Sequence, residues 1–154
     1  MKIVKISNKK PPQWILDAVN EKFGVEWKSS VIFTYGELIT SYTGMMTEDL
    51  LAHEPHHTKQ QKEFGGADKW WKEYLKNNQF RFEQELECYR KQYQWVKRNL
   101  KNRNEVFNCL MSYAHALSGK LYGEIISFNE ALKQIKKINE ENKNNTTSIR
   151  NATS

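Results

Sequence analysis

A chain of 154 residues, 38% hydrophobic and 12% aromatic, is long enough to bury one core and too short to need a second. Its formal charge of +6 is spread as +2 over residues 1–46, +1 over 47–100 and +3 over 101–154, so no segment gathers basic charge as a dedicated nucleic-acid surface does. No apolar run approaches the roughly 20 residues of a membrane span, and the opening MKIVKISNKKPP has no signal-peptide core, so neither insertion nor export by that route is expected.

Residues 2–7 alternate apolar and polar side chains and read as a short strand. Pro11 and Pro12 then open a helix carrying Trp14, Ile15, Ala18, Val19 and Phe23, which Gly24 ends. Residues 31–40 are β-branched and aromatic, a strand with Gly36 as a bend or bulge, and 41–44 form a turn. Thr47 is expected to cap the next helix, whose first turn holds Glu48 and Asp49 and which Gly65-Gly66 stops after Phe64.

A short helix over 68–75 carries Trp70 and Trp71, two rings available for protein contacts together with Trp95. The strongest helix spans 80–100, with Leu86, Tyr89, Tyr93, Val96 and Leu100 as its buried stripe. Another helix covers 103–117, residues 121–126 are irregular or a short strand, and Ser127 caps a last helix to about residue 138. Residues 140–154 are Asn, Lys, Ser and Thr with almost nothing to bury, so a polar tail without fixed structure is expected. Cys88 and Cys109 lack any metal-finger spacing and read as buried free thiols of a reducing compartment.

The chemistry concentrates in His53-Glu54-Pro55-His56-His57, an HExxH pattern. Two His four apart on a helix project from one face and can converge on one Zn²⁺. The Glu beside the first His reaches a water on that ion and can take its proton. At 100° per residue, His53 and His57 share a face with Met46, Leu50 and Phe64, while Glu48, Lys59, Lys62 and Glu63 lie opposite, so the imidazoles point inward. The plain alternative is a pair of core or surface histidines.

A third ligand is sought on the long helix, where Glu83, Glu85 and Glu87 follow one another. Glu85 lies roughly 60° from the apolar stripe, Glu83 roughly 100° and Glu87 roughly 140°. Glu87 shares its side with Arg90, Lys91 and Gln94, the setting of an ordinary helix ion pair. Glu85 borders the core and is the chosen ligand. His115 and Tyr122 are candidate hydrogen-bond donors to developing negative charge, and residues 31–40 are placed to receive an extended peptide as an added strand.

The segment from Asp49 through His57 to Gln60-Gln61 resembles the active helix of small gluzincin-type metallopeptidases. In that family a later helix carries an E-x-x-A-D-like third-ligand motif. The stretch 85–89 is similar to it, with Cys88 and Tyr89 in place of Ala and Asp, and the resemblance also implies Glu85. The wider run 33–92 is similar to small peptidase-like proteins encoded by tailed phages. The resemblance implies a mainly helical α+β zincin-like domain over residues 1–139, with a small N-terminal β-sheet. It further implies Zn²⁺ on His53, His57 and Glu85, with Glu54 as general base for peptide-bond hydrolysis.

Pro55 departs from a regular helix. It has no N–H for the Leu51 carbonyl and its ring crowds that group, at a cost of about 3 kcal/mol in a helix interior. A kink or widening is expected there. The site is then an active one with a tolerated kink, a metal site without catalysis, or a decayed one. His56 is a spare ligand or proton donor, or simply a solvent-facing side chain. The rival to a hydrolase acting on a peptide or protein is a non-catalytic adaptor that keeps a peptidase-like fold and binds phage structural proteins. Its place is the host cytoplasm or the virion.

Overall fold

The computed structural model describes residues 1–137; the expected polar tail and the end of the last helix lie outside the described residues. The chain is a mainly helical α+β domain. Strand β1 (Ile3–Lys5) pairs antiparallel with β4 (Met45–Thr47), and β2 (Phe33–Tyr35) pairs with β3 (Leu38–Thr40). A parallel bridge from Ser7 to Thr40 ties the two ribbons together. Residues 31–40 are therefore a hairpin and not one strand. Gly36 takes φ +57° at the first loop position, where a two-residue hairpin turn favours glycine.

Among the described residues six helices follow the order α1 (Gln13–Phe23), α2 (Leu50–Glu63), α3 (Ala67–Lys76), α4 (Asn78–Asn99), α5 (Arg103–Leu117) and α6 (Phe128–Lys136). Local chemistry sets most of their ends. Gly24 in the left-handed region closes α1, and the side chains of Asn77, Asn102 and Ser127 accept N-cap bonds at α4, α5 and α6. Thr47 caps nothing, because β4 claims it opposite Ile3. Asp49 occupies the cap position of α2 without a side-chain cap bond, and its buried carboxylate is used elsewhere. Residues 121–126 form no strand; a 3₁₀ turn over Lys120–Tyr122 buries Tyr122. No helix among the described residues is long and apolar enough to cross a membrane.

Two apolar clusters support the molecule. One gathers Phe82, Val96, Leu110, Tyr113, Leu117 and Ile135 from α4, α5 and α6. The other gathers Ile15, Val19, Phe33, Trp70, Trp71 and Tyr74 from α1, β2 and α3. Trp70 and Trp71 are thus core residues, 1% and 7% exposed, and not surface anchors. Helix α2 contributes to neither cluster. It packs against α4, and its buried side chains are His53, Glu54, His57, Gln60 and Gln61.

The buried residues of α4 are Arg81, Phe82, Glu85, Cys88, Gln92 and Val96, of which Glu85, Cys88 and Gln92 meet the histidines of α2. The most buried row of α4 is thus largely polar, while Leu86, Tyr89, Tyr93 and Leu100 flank the first cluster half-buried. Burying so many polar groups is tolerable only where each finds a partner, and this seam is where the candidate site lies. Arg81 braces it, donating to the carbonyls of Tyr74 and Leu121 and to Asn78, with its guanidinium over the rings of Phe23 and Tyr74.

Candidate metal centre

Helix α2 runs unbroken through Pro55, which is exposed, as is Leu51 one turn earlier. The proline therefore weakens the outer side of the helix, where the Leu51 carbonyl has solvent nearby, while His53, Glu54 and His57 lie on the inner side. Phe64, expected on that inner face, is 42% exposed and packs on Phe80.

His53 and His57 are 5% and 6% exposed, with ring centroids 4.9 Å apart and planes crossed at 73°. Their Nε2 atoms converge on one carboxylate, His53 at 3.0 Å from Glu85 Oε2 and His57 at 3.4 Å from Glu85 Oε1. The Tyr74 hydroxyl donates to Glu85 Oε1 at 2.7 Å. Behind the imidazoles, His53 Nδ1 meets Gln92 Oε1 at 2.8 Å and His57 Nδ1 meets Gln60 Oε1 at 2.8 Å. Tyr89 and Trp70 stand edge-on to the two rings at 4.9 and 5.2 Å.

Cys88 lies one turn beyond Glu85, its Sγ 3.4 Å from His57 Nδ1. Buried His53, His57 and Cys88 form a group able to hold a metal ion. The cysteine and the glutamate approach His57 from opposite nitrogens, so they define two different ligand sets. Nδ1, which faces Cys88, also faces Gln60 Oε1 at the shorter distance, whereas Nε2 faces only the carboxylate among these groups. Both sets are present, the His53–His57–Cys88 group and the two Nε2 atoms with Glu85.

The two candidates differ in charge. Burial pushes the Glu85 carboxyl up, but His57 and His53 outweigh it and hold it well below the carboxylate range. Burial opposes a charge on His57, while Cys88 and Glu85 favour it, and the imidazole is held well above its ordinary value. The Cys88 thiol is itself pushed up to about 12 by burial, so near neutrality it carries no charge and Glu85 is the anion that His57 meets. Asp49, Glu54 and Glu85 are all buried, and the buried guanidinium of Arg81 bonds to two carbonyls and Asn78. The buried Glu85 carboxylate calls for a neighbouring positive charge, which a divalent cation or the His57 proton would supply.

Glu54 is 6% exposed and accepts a 2.7 Å bond from Thr34 Oγ1 on its Oε2. A cavity of about 40 Å³ is walled by Glu54, His57, Thr34, Tyr74 and the two tryptophans. At roughly 10–15 Å³ for each water it has room for about three. Beside it, the far edge of β2 is sealed by side chains: Gln61 and Trp71 donate to the Thr34 carbonyl, and Gln61 and Thr58 bond Gly36. An added strand along that edge meets these groups at positions 34 and 36.

The other expected residues lie elsewhere. His115 is exposed and stacked on Phe128 at 4.3 Å, on the α5–α6 side of the molecule, where it has no contact with the His–Glu cluster. Tyr122 is buried one layer back, against Tyr89, which in turn touches His53. His56 does not face open solvent; its Nε2 lies 3.1 Å from Glu87 Oε2, and Glu87 serves α2 and not only its own helix. Gln60, Gln92, Asp49 and Tyr74 were not picked out by sequence reasoning. None of the family models, curated proteins or solved structures compared with the chain matches it.

Proposed function

We propose that this protein is a zinc-dependent hydrolase of peptide bonds, with His53, His57 and Glu85 as ligands and Glu54 as general base. The observation that carries the proposal is the convergence of both Nε2 atoms on the Glu85 carboxylate, with Glu54 and His57 lining one small cavity. Bound zinc lowers the pKa of a coordinated water toward neutrality and polarises a carbonyl.

The chain's own residues then have defined tasks. Thr34 fixes the Glu54 carboxylate by its Oε2, and Glu54 takes a proton from water in the cavity and hands it to the leaving amine. Tyr74 spends its one hydroxyl hydrogen on Glu85 Oε1 and would hold that ligand in place, while neither His115 nor Tyr122 lines the cavity. Burial and Glu85 hold that phenol well above its ordinary value, so it stays a donor. A substrate peptide would lie outside a cavity this small, with only its carbonyl entering.

The small volume also favours a second reading, a metal-stabilised adaptor without catalysis whose partners would be phage structural proteins, in the host cytoplasm or the virion. The buried state of Trp70 and Trp71 removes two of the three aromatics that reading would use, and the third, Trp95, is half-buried against the first cluster. Glu54→Gln separates the two. The hydrolase reading predicts unchanged zinc content and loss of peptide cleavage; wild-type protein that is zinc-loaded yet cleaves nothing in a broad peptide library overturns it.

A further inference from the structure

Behind each imidazole stands the same arrangement, a glutamine carboxamide between the ring and a carboxylate. Gln92 Nε2 donates to Asp49 Oδ2, and its Oε1 meets His53 Nδ1 at 2.8 Å. Gln60 Nε2 donates to Glu87 Oε2 and to the Gln84 carbonyl, both at 2.9 Å, and its Oε1 meets His57 Nδ1 at 2.8 Å. Carboxylates and backbone carbonyls only accept, so each carboxamide must turn its NH₂ toward them and its oxygen toward the ring. That oxygen also only accepts, so each Nδ1 must carry a hydrogen. The lone pair of each neutral ring is then left on Nε2, the atom that faces Glu85.

We infer that Gln92 and Gln60 are positioning residues that, through Asp49 and Glu87, lock His53 and His57 in the Nδ1–H tautomer and so assign both Nε2 atoms to the metal. The inference rests on the metal-site reading above and adds to it two residues and two carboxylates. The arms are unequal. The Asp49 arm is sealed, with Asp49 4% exposed, a second donor in the Tyr113 hydroxyl, and Oδ1 without a hydrogen-bond partner. The Glu87 arm ends at the surface, where the Glu87 side chain is 47% exposed and shared with His56. The Gln92 arm therefore governs ligand orientation more strongly, since solvent can replace Glu87 but cannot reach Asp49.

The test is zinc competition against a chromophoric chelator on full-length protein, with ¹⁵N imidazole spectra of the zinc-loaded form. Gln92→Met should weaken zinc binding by about 10–100-fold, as loss of an outer partner of a ligating histidine does, and Gln60→Met by less. Should Gln92→Met fold poorly, the double variant Asp49→Asn/Gln92→Glu reverses the polarity of the arm. It keeps an acceptor on His53 Nδ1, and should bind zinc within a few-fold of wild type while Gln92→Glu alone does not. The spectra should show Nδ1–H with Nε2 ligated on both rings. Zinc affinity unchanged in both methionine variants, or ligation through Nδ1, overturns the inference while leaving a zinc site standing. Wild type that binds no zinc overturns the site and the inference together.

Discussion

Replacing Glu85 with Gln keeps the shape of the seam and removes its central charge. The amide still accepts from Tyr74 and still faces both imidazoles, so the fold should survive. The loss falls on the cation. A unit charge about 4 Å from a divalent cation at an effective dielectric near 20 contributes about 8 kcal/mol. With desolvation of the carboxylate cancelling about half of it, the remaining ~4 kcal/mol is about three decades of affinity at about 1.4 kcal/mol each. Zinc at about 100 times its dissociation constant stabilises the wild type by about 2.7 kcal/mol, and a thousand-fold weaker site gains only about 0.1 kcal/mol from the same zinc. For a domain of this size each kcal/mol moves the midpoint by about 2–4 °C, so wild type should melt about 5–11 °C higher with zinc than with chelator. Glu85→Gln should show almost no such difference. Paired thermal melts decide it: a variant with a full zinc-dependent shift refutes the assignment of Glu85.

Other consequences are open to measurement. Pro55→Ala restores an N–H to the Leu51 carbonyl on the exposed side of α2 and should raise unfolding stability by about 1–2 kcal/mol in denaturant titrations without changing zinc content; a loss of zinc would show that the proline shapes the site. His115→Ala, which removes an exposed ring stacked on Phe128, should leave peptide hydrolysis at the wild-type rate, and a large fall in turnover would restore His115 to the mechanism. The zinc-free protein should have a mildly acidic stability optimum. The depressed Glu85 contributes stability above its ordinary value of 4.5 and loses it as pH falls through the folded value. The raised His57 contributes below its ordinary value of 6.5 and loses it as pH rises through the folded value. Zinc stabilisation should instead grow with pH as the proton leaves His57, so a chelator-treated protein whose midpoint climbs steadily from pH 6 to 9 contradicts the reading.

The spacing of His53 and His57 was legible because four residues on a helix fix a shared direction whatever surrounds them. Glu85 was legible for the same reason, standing nearer the core side of α4 than Glu83 or Glu87. The supporting residues were not. A buried glutamine and a surface glutamine look alike in a helical sequence, and Gln60 and Gln92 acquire their roles only when α2 and α4 face each other. A signal did exist: Arg81, Glu85, Cys88, Gln92 and Val96 recur at spacings of three and four, a second stripe beside the apolar one.

His115 and Tyr122 were chosen for donor chemistry alone, with no spacing to tie them to the site, and the fold puts one at the surface and the other a layer away. Thr47 had the composition of a cap, but a strand partner at Ile3 outweighed local preference. Trp70 and Trp71 are adjacent and point in directions about 100° apart. Both are buried because α3 packs on α1 along one side and on α2 and α4 along others.

The most direct test of the account is X-ray absorption at the zinc edge of purified, zinc-loaded protein. Ligation by His53, His57 and Glu85 predicts a first shell of nitrogen and oxygen alone, at about 2.0–2.2 Å. A sulfur scatterer at about 2.3 Å would move the site to Cys88, and protein that retains no zinc after mild dialysis would contradict the metal centre itself.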